Sequence, residues 1–445
     1  MKVVFVPIDN RPVCYTLPEI IAEIDDNIDF LIPPRAMLGD LTKSADINRL
    51  LGWLAKIPET DAIILSLDTL AYGGLIPSRR SSDTFEQIKS RILRLKEILQ
   101  VKGAKIYAFS SIMRISNNNF NIEEKEYWAQ WGKKIFEYSF YTHKIGISPV
   151  NDIPSEILKD YLETRKRNFE INKIYLEWQK EGLFDTLIFS KDDCAEYGLN
   201  VQEAQELEKM GAFTKTGADE IPLSLFSRAI SGEIKICPIF LEPESKNLIS
   251  NYEDISIENS VKGQIELAGG KCCRENEADI LLYINNFKDH QGEIVMNIDT
   301  EMFNGIFEVP KKPYMIADVR FANGADNNFV KELFKNNIDD KYFFGYCAWN
   351  TSANTLGSLI CGAKVKFFAQ RYNKIAFNRL QVTRFLDDWA YQANVRQNLD
   401  ELNIDKLYRE MKDYEKVVGE KLGIDFSVEY IFPWNRLFEV EIGFN

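Results

Sequence analysis

Residues 61–80 read D-A-I-I-L-S-L-D-T-L-A-Y-G-G-L-I-P-S-R-R, and this pattern decides the fold class. Ala62–Leu67 is an apolar run without polar alternation, as expected of a strand buried on both faces. The run stops at Asp68, turns through Gly73-Gly74, and is followed over Thr84–Val101 by apolar residues at helical spacing. The same succession recurs along the chain. Strands are predicted at Val3–Ile8, Asp29–Ile32, Lys105–Phe109, Thr186–Phe189, Lys235–Phe240, Asp279–Ile284, Met315–Val319 and Phe343–Ala348. Strands alternating with amphipathic helices predict an α/β protein with a mainly parallel sheet.

Two arrangements fit that pattern. One is a single (β/α) barrel; the other, which we favour, is a barrel-like or doubly wound N-terminal half followed by a flavodoxin-like layer. The expected division is residues 1–230, with a helical insertion near 122–180, then a second α/β unit at 231–370. Residues 371–445 are expected to form a helical C-terminal region.

Composition narrows the function. The 445 residues are 45% hydrophobic and 27% charged, a globular mixture with ample material for a core. The net charge of −13 disfavours a nucleic-acid or anionic-membrane partner, because either needs a positive footprint. No stretch approaches the roughly 20 apolar residues of a membrane span. The first strand meets Asp9 and Arg11 too early to read as a signal peptide. Seven scattered cysteines without a spacing code read as reduced thiols, so a cytoplasmic location is expected. With only His143 and His290, a histidine zinc site or a Ser-His-Asp triad has little to draw on. No cofactor and no metal are expected, and neither G-x-G-x-x-G nor the P-loop pattern occurs.

In parallel α/β proteins the carboxyl ends of the strands open onto the site. Here those ends carry polar residues: Asp9, Asn10 and Arg11; Asp68, Tyr72, Arg79 and Arg80; Ser110, Ser111 and Arg114. They continue with Asp192, Asp193 and Tyr197; Asp318, Arg320, Asn323 and Asp326; and Trp349, Asn350 and Asn354. Any one could be a helix cap, but the repetition at one end predicts a shared pocket. Two adjacent acidic pairs stand out, Asp192-Asp193 and Asp219-Glu220. Crowded carboxylates push their pKa values apart, so that one holds a proton while the other stays ionised. That division suits general acid/base work on a glycosidic bond. Arginines at the same ends could clamp a carboxylate or neutralise the acids. Trp349 beside Asn350 and Asn354 offers an apolar face with amide hydrogen-bonders, as a sugar platform would.

These residues also carry a family resemblance. The segments P-I-D-N-R-P-V (7–13), S-L-D-T-L-A-Y-G-G-L-I-P-S-R-R (66–80), S-I-M-R (111–114) and K-D-D-C-A-E-Y-G (191–198) contribute to it. So do G-A-D-E (217–220), D-V-R-F-A-N-G-A-D (318–326), W-N-T-S-A-N-T-L-G (349–357) and F-P-W-N-R-L-F-E-V (432–440). Together the chain resembles the bacterial domain of unknown function 4127, a resemblance that brings no activity with it. Asp192-Asp193 alone is similar to the paired acids of substrate-assisted N-acetylhexosaminidases.

The functional expectation is a glycoside hydrolase acting on a small-molecule or glycan substrate, in one form an exo-N-acetylhexosaminidase. Asp193 would be the general acid and Asp192 would orient the acetamido group. Asp9, Asn10, Arg11, Asp68, Tyr72, Arg79, Arg114, Tyr197, Asp318, Asn323, Trp349, Asn350 and Asn354 would bind substrate. Two other readings stay open: a Mg²⁺- or Mn²⁺-dependent carbohydrate hydrolase or isomerase using oxygen ligands, and a non-catalytic binding or scaffold protein. Association into a homo-oligomer is left open.

Overall fold

The computed structural model describes residues 1–192 and 194–445. They form two compact units with interleaved chain segments. The first comprises Met1–Asn10, Asp29–Leu225 and Tyr252–Asp254; the second comprises Arg11–Ile28, Phe226–Asn251 and Ile255–Asn445.

In the first unit the strands are β1 (Lys2–Val6), β2 (Asp29–Leu31), β3 (Ala62–Ser66), β4 (Lys105–Ile112), β5 (Thr186–Lys191) and β6 (Thr214–Thr216). Among the described residues they make one sheet in the order β2-β1-β3-β4-β5-β6, and every pairing is parallel. The sheet is open, with β2 and β6 as its edges, so the doubly wound alternative holds and the barrel does not. Val3–Val6 and Ile63–Leu65 are fully buried, as continuous apolar runs in a sheet covered on both faces must be. Helix Phe85–Gln100 buries Ile88, Ile92, Leu95 and Leu99, spaced three and four apart, and starts in a capping box of Thr84 and Gln87. The expected helical insertion contains helices Trp128–Ile145 and Ser155–Lys180. Trp128, Ile135 and Tyr161 pack there against Met113 and Ile115, just beyond β4.

The second unit holds β7 (Ile234–Phe240), β8 (Gly270–Cys272), β9 (Ile280–Asn285), β10 (Gly292–Glu293), β11 (Tyr314–Asp318), β12 (Phe321–Ala322), β13 (Phe343–Cys347), β14 (Val428–Ile431) and β15 (Glu441–Phe444). Its main sheet runs β13-β11-β9-β7-β8, again wholly parallel. Counted from its first strand, this is the 2-1-3-4-5 order of flavodoxin-like sheets, and the first sheet begins in the same order. Helix Ser352–Phe368 is buried from Ser352 to Val365. A Cβ on its Gly362 would lie 3.0 Å from the Leu380 side chain.

Residues 371–445 are not a separate region. Gln381 accepts the N–H of Tyr346 at 2.9 Å, and Asp388 accepts that of Ala348 at 2.7 Å, so the C-terminal helices close over β13. The expected division near residue 231 falls at Leu225/Phe226, and helix Thr16–Ala22 belongs with the second unit. Among the described residues no helix is long and apolar enough to cross a membrane.

Candidate active site

A doubly wound sheet binds its ligand outside the carboxyl ends of the strands, where the strand order reverses. In the first unit that point lies between β1 and β3. Asp9 follows β1 and is 6% exposed; Asp68 follows β3 and is 2% exposed. Thr69 ties the two ends together, its hydroxyl donating to the carbonyls of Pro7 and Ile8, both at 2.8 Å. The turn beyond needs glycine. Gly73 has φ +93°, and a Cβ there would lie 2.6 Å from the Ser44 side chain.

Asp68 Oδ2 accepts the backbone N–H of Ser111 on β4 at 2.8 Å. Burial pushes its carboxyl up to about 7, against the pull of that hydrogen bond and of Arg79. Tyr72 and Tyr175, also buried, have hydroxyls with no hydrogen-bond partner among the described residues. Burial and then the nearby Asp68 raise the Tyr72 phenol; burial, Tyr72 and Asp68 raise that of Tyr175. A carboxyl and two phenols thus share one buried region, all held toward their protonated forms.

Arg79 is 1% exposed and lies on a short helix, Leu75–Arg80. Its guanidinium sits 3.3 Å from Glu124, 3.7 Å from Glu123 and 4.0 Å from Asp192. Arg114, beyond β4, reaches the same three carboxylate oxygens at 3.2, 2.7 and 3.4 Å. Burial first and Arg114 second hold the Arg79 pKa down. Among the described residues two guanidiniums thus face three carboxylates, an excess of acidic over basic groups.

The first unit therefore brings together Asp68, Tyr72, Arg79, Arg114 and Asp192, and it also contains Asp9. Asn10 contributes its carbonyl, which accepts from Arg35 Nε at 3.0 Å and Nη2 at 2.7 Å. Asp193 lies outside the described residues. Tyr197 packs its ring edge-on against Phe140, with Lys144 over its face. Of the second acidic pair, Glu220 is folded back on its own turn, accepting the N–H of Ala218 at 3.1 Å. A Cβ on Gly217 would meet that carboxylate at 1.8 Å.

The remaining expected residues belong to the second unit. Arg11 pairs with Glu439 at 3.4 Å and lies 5.2 Å from the Trp434 ring centre. Asp318 is fully buried, bonded to Asn285, Tyr346 and the N–H of Asp326. Burial, then the Asp326 charge, pushes its carboxyl up to about 7. Asn323 and Asn350 both have positive φ, and the Asn323 N–H donates to the Asn350 carbonyl at 2.8 Å. Asn354, 7% exposed, lies in the first turn of helix Ser352–Phe368. Trp349 is 3% exposed and packs edge-on against Phe438, so its ring serves the interior.

Sequence reasoning missed Glu123, Glu124 and Tyr175. The Glu pair stands in the segment that the sequence reads as a helical insertion near 122–180. Its signal was adjacency, the same cue that singled out Asp192-Asp193. Among the described residues no group of three or more His, Cys, Asp or Glu is placed to hold a metal ion.

The fold and site define a parallel α/β protein of two doubly wound units, with a carboxyl–guanidinium cluster at the strand ends of the first. The chain belongs to the family described as Protein of unknown function (DUF4127), matched over residues 3–443. No curated protein and no solved structure matches it.

Proposed function

We propose that the first unit is the catalytic part of a glycoside hydrolase acting on a small neutral or cationic glycan or glycoside, with Asp68 as the proton-carrying group. The observation that carries this reading is the contrast between two carboxyls beside one arginine. Asp68 is held protonated up to about 7 by burial, whereas Asp192 faces two guanidiniums. Environments that drive two carboxyls apart assign acid and base roles at neutral pH. Asp68 then protonates the departing oxygen, and Asp192, ion-paired with Arg79 and Arg114, steers water or an acetamido group. The excess of acidic over basic groups around Arg79 and Arg114 accounts for the choice of a neutral or cationic sugar.

A panel of chromogenic glycosides, neutral, N-acetylated, amino and acidic, tests the proposal. Turnover of a neutral or amino glycoside, lowered by Asp68→Asn and most of all where the leaving group is poor, is the expected result. No turnover of any member, or turnover that Asp68→Asn leaves intact, overturns it.

A further inference from the structure

Three stretches of the family resemblance, 7–13, 349–357 and 432–440, supply Pro12, Val13, Trp349, Glu439 and Val440 to one cavity of the second unit. None of these has a part in the site proposed above. Helix Thr16–Ala22, the end of helix Lys374–Arg384, the π-helix Phe385–Val395 and β15 complete the wall. The cavity offers 20 Å³ to a water centre, above the roughly 10–15 Å³ that one water needs.

Three lining residues carry buried polar atoms with no hydrogen-bond partner among the described residues: Trp349 Nε1, Thr383 Oγ1 and Arg384 Nε. Trp349 and Arg384 are 3% and 5% exposed. Native proteins leave few such groups unsatisfied, and three around one cavity is an unusual concentration. Two of the three are obligate donors, so the occupant must accept hydrogen bonds. Indole and guanidinium N–H groups repel a cation, and the space is enough for a water.

We propose that this cavity is a binding site for an ordered water. It accepts the Trp349 Nε1–H and Arg384 Nε–H and gives its own hydrogens to Thr383 Oγ1 and the Asp387 carboxyl. Four partners saturate a buried water. The site links the segment after β13 to two C-terminal helices, all within the second unit, and it gives the buried Trp349 a purpose other than a sugar platform.

A crystal structure of the full chain that resolves ordered solvent, together with Thr383→Val, tests the proposal. Valine keeps the shape of threonine and removes the hydroxyl. Expected are solvent density within hydrogen-bond distance of Trp349 Nε1 and an unfolding midpoint about 2–4 °C lower in Thr383→Val. An empty cavity in the unaltered chain overturns it. So does a midpoint that stays or rises in Thr383→Val, because in a dry cavity an orphaned hydroxyl costs stability and valine relieves it.

Discussion

Asp68 accepts the backbone N–H of Ser111 at 2.8 Å, a bond that joins the end of β3 to β4 and fixes the carboxyl in a buried place. An amide oxygen accepts the same bond, so Asp68→Asn keeps the contact and removes only the ionisable proton. Turnover of a responsive glycoside is expected to fall about 10²–10⁴-fold in this variant. The loss should be smallest for good leaving groups, which need little protonation. Rates measured over leaving groups of graded acidity check this; a uniform loss would assign Asp68 another role.

The raised carboxyls fix the sign of the pH dependence. Asp68 and Asp318 start from an ordinary value near 3.8 and reach about 7 in the fold. Between those values the native chain holds protons that the unfolded chain has released, so stability falls as pH rises. The contribution is complete below about pH 4, is lost through pH 7, and is level above. Each group accounts for something on the order of 4 kcal/mol across that window. Asp318→Asn should flatten its share of the slope, measurable as a stability difference from wild type that changes between pH 5 and pH 8.

The Arg165 guanidinium meets Glu203 with two bonds of 2.9 and 2.6 Å and donates to the Met113 carbonyl at 2.7 Å. Their side chains are 2% and 17% exposed. Removing one partner of such a pair leaves a buried charge without compensation, so Arg165→Ala should cost about 3–5 kcal/mol. Denaturant titration reads this directly. A loss under about 1 kcal/mol would mean that solvent reaches Glu203 and replaces the lost bonds.

Metal dependence separates the proposed hydrolase from its Mg²⁺ or Mn²⁺ alternative. Exhaustive chelation is expected to leave glycoside turnover unchanged, and elemental analysis should find no stoichiometric zinc. Activity lost with chelator and restored by Mn²⁺ would move Asp9, Asp68 and Asp192 into ligand roles.

The long apolar strands were legible because burial on both faces leaves nearly uninterrupted Val, Ile and Leu. β1, β3, β4, β5, β7, β9, β11 and β13 fall within a few residues of the predicted runs. The short strands were not. β6 reads T-K-T and β8 reads G-K-C, edge strands whose composition matches that of turns. The division into units was hidden for another reason: local pattern carries no record that residues 11–28 pack with chain more than 200 residues further on. In the site, Asp68, Arg79, Arg114 and Asp192 were readable from their place after buried runs. Glu123-Glu124 offered only its adjacency, and Tyr175 offered no cue, since nothing local distinguishes an inward-facing tyrosine in a long inserted helix. Asp387-Asp388 was a missed cue of a plainer kind, two acids inside an otherwise apolar stretch.

The interleaving of segments sets a timetable for synthesis. Arg11 and Glu439 are ion-paired partners 428 positions apart. At roughly 5–20 residues per second a ribosome takes about 20–90 s to travel that distance. Throughout that interval helix Thr16–Ala22 has left the ribosome with most of its eventual partners unmade. Its apolar face, Leu17, Ile20 and Ile21, must stay solvated or shielded while the first sheet assembles on either side of it in sequence. The second unit thus takes one helix from residues 16–22 and a strand from residues 441–444, and that helix must keep its apolar face covered through the wait between them.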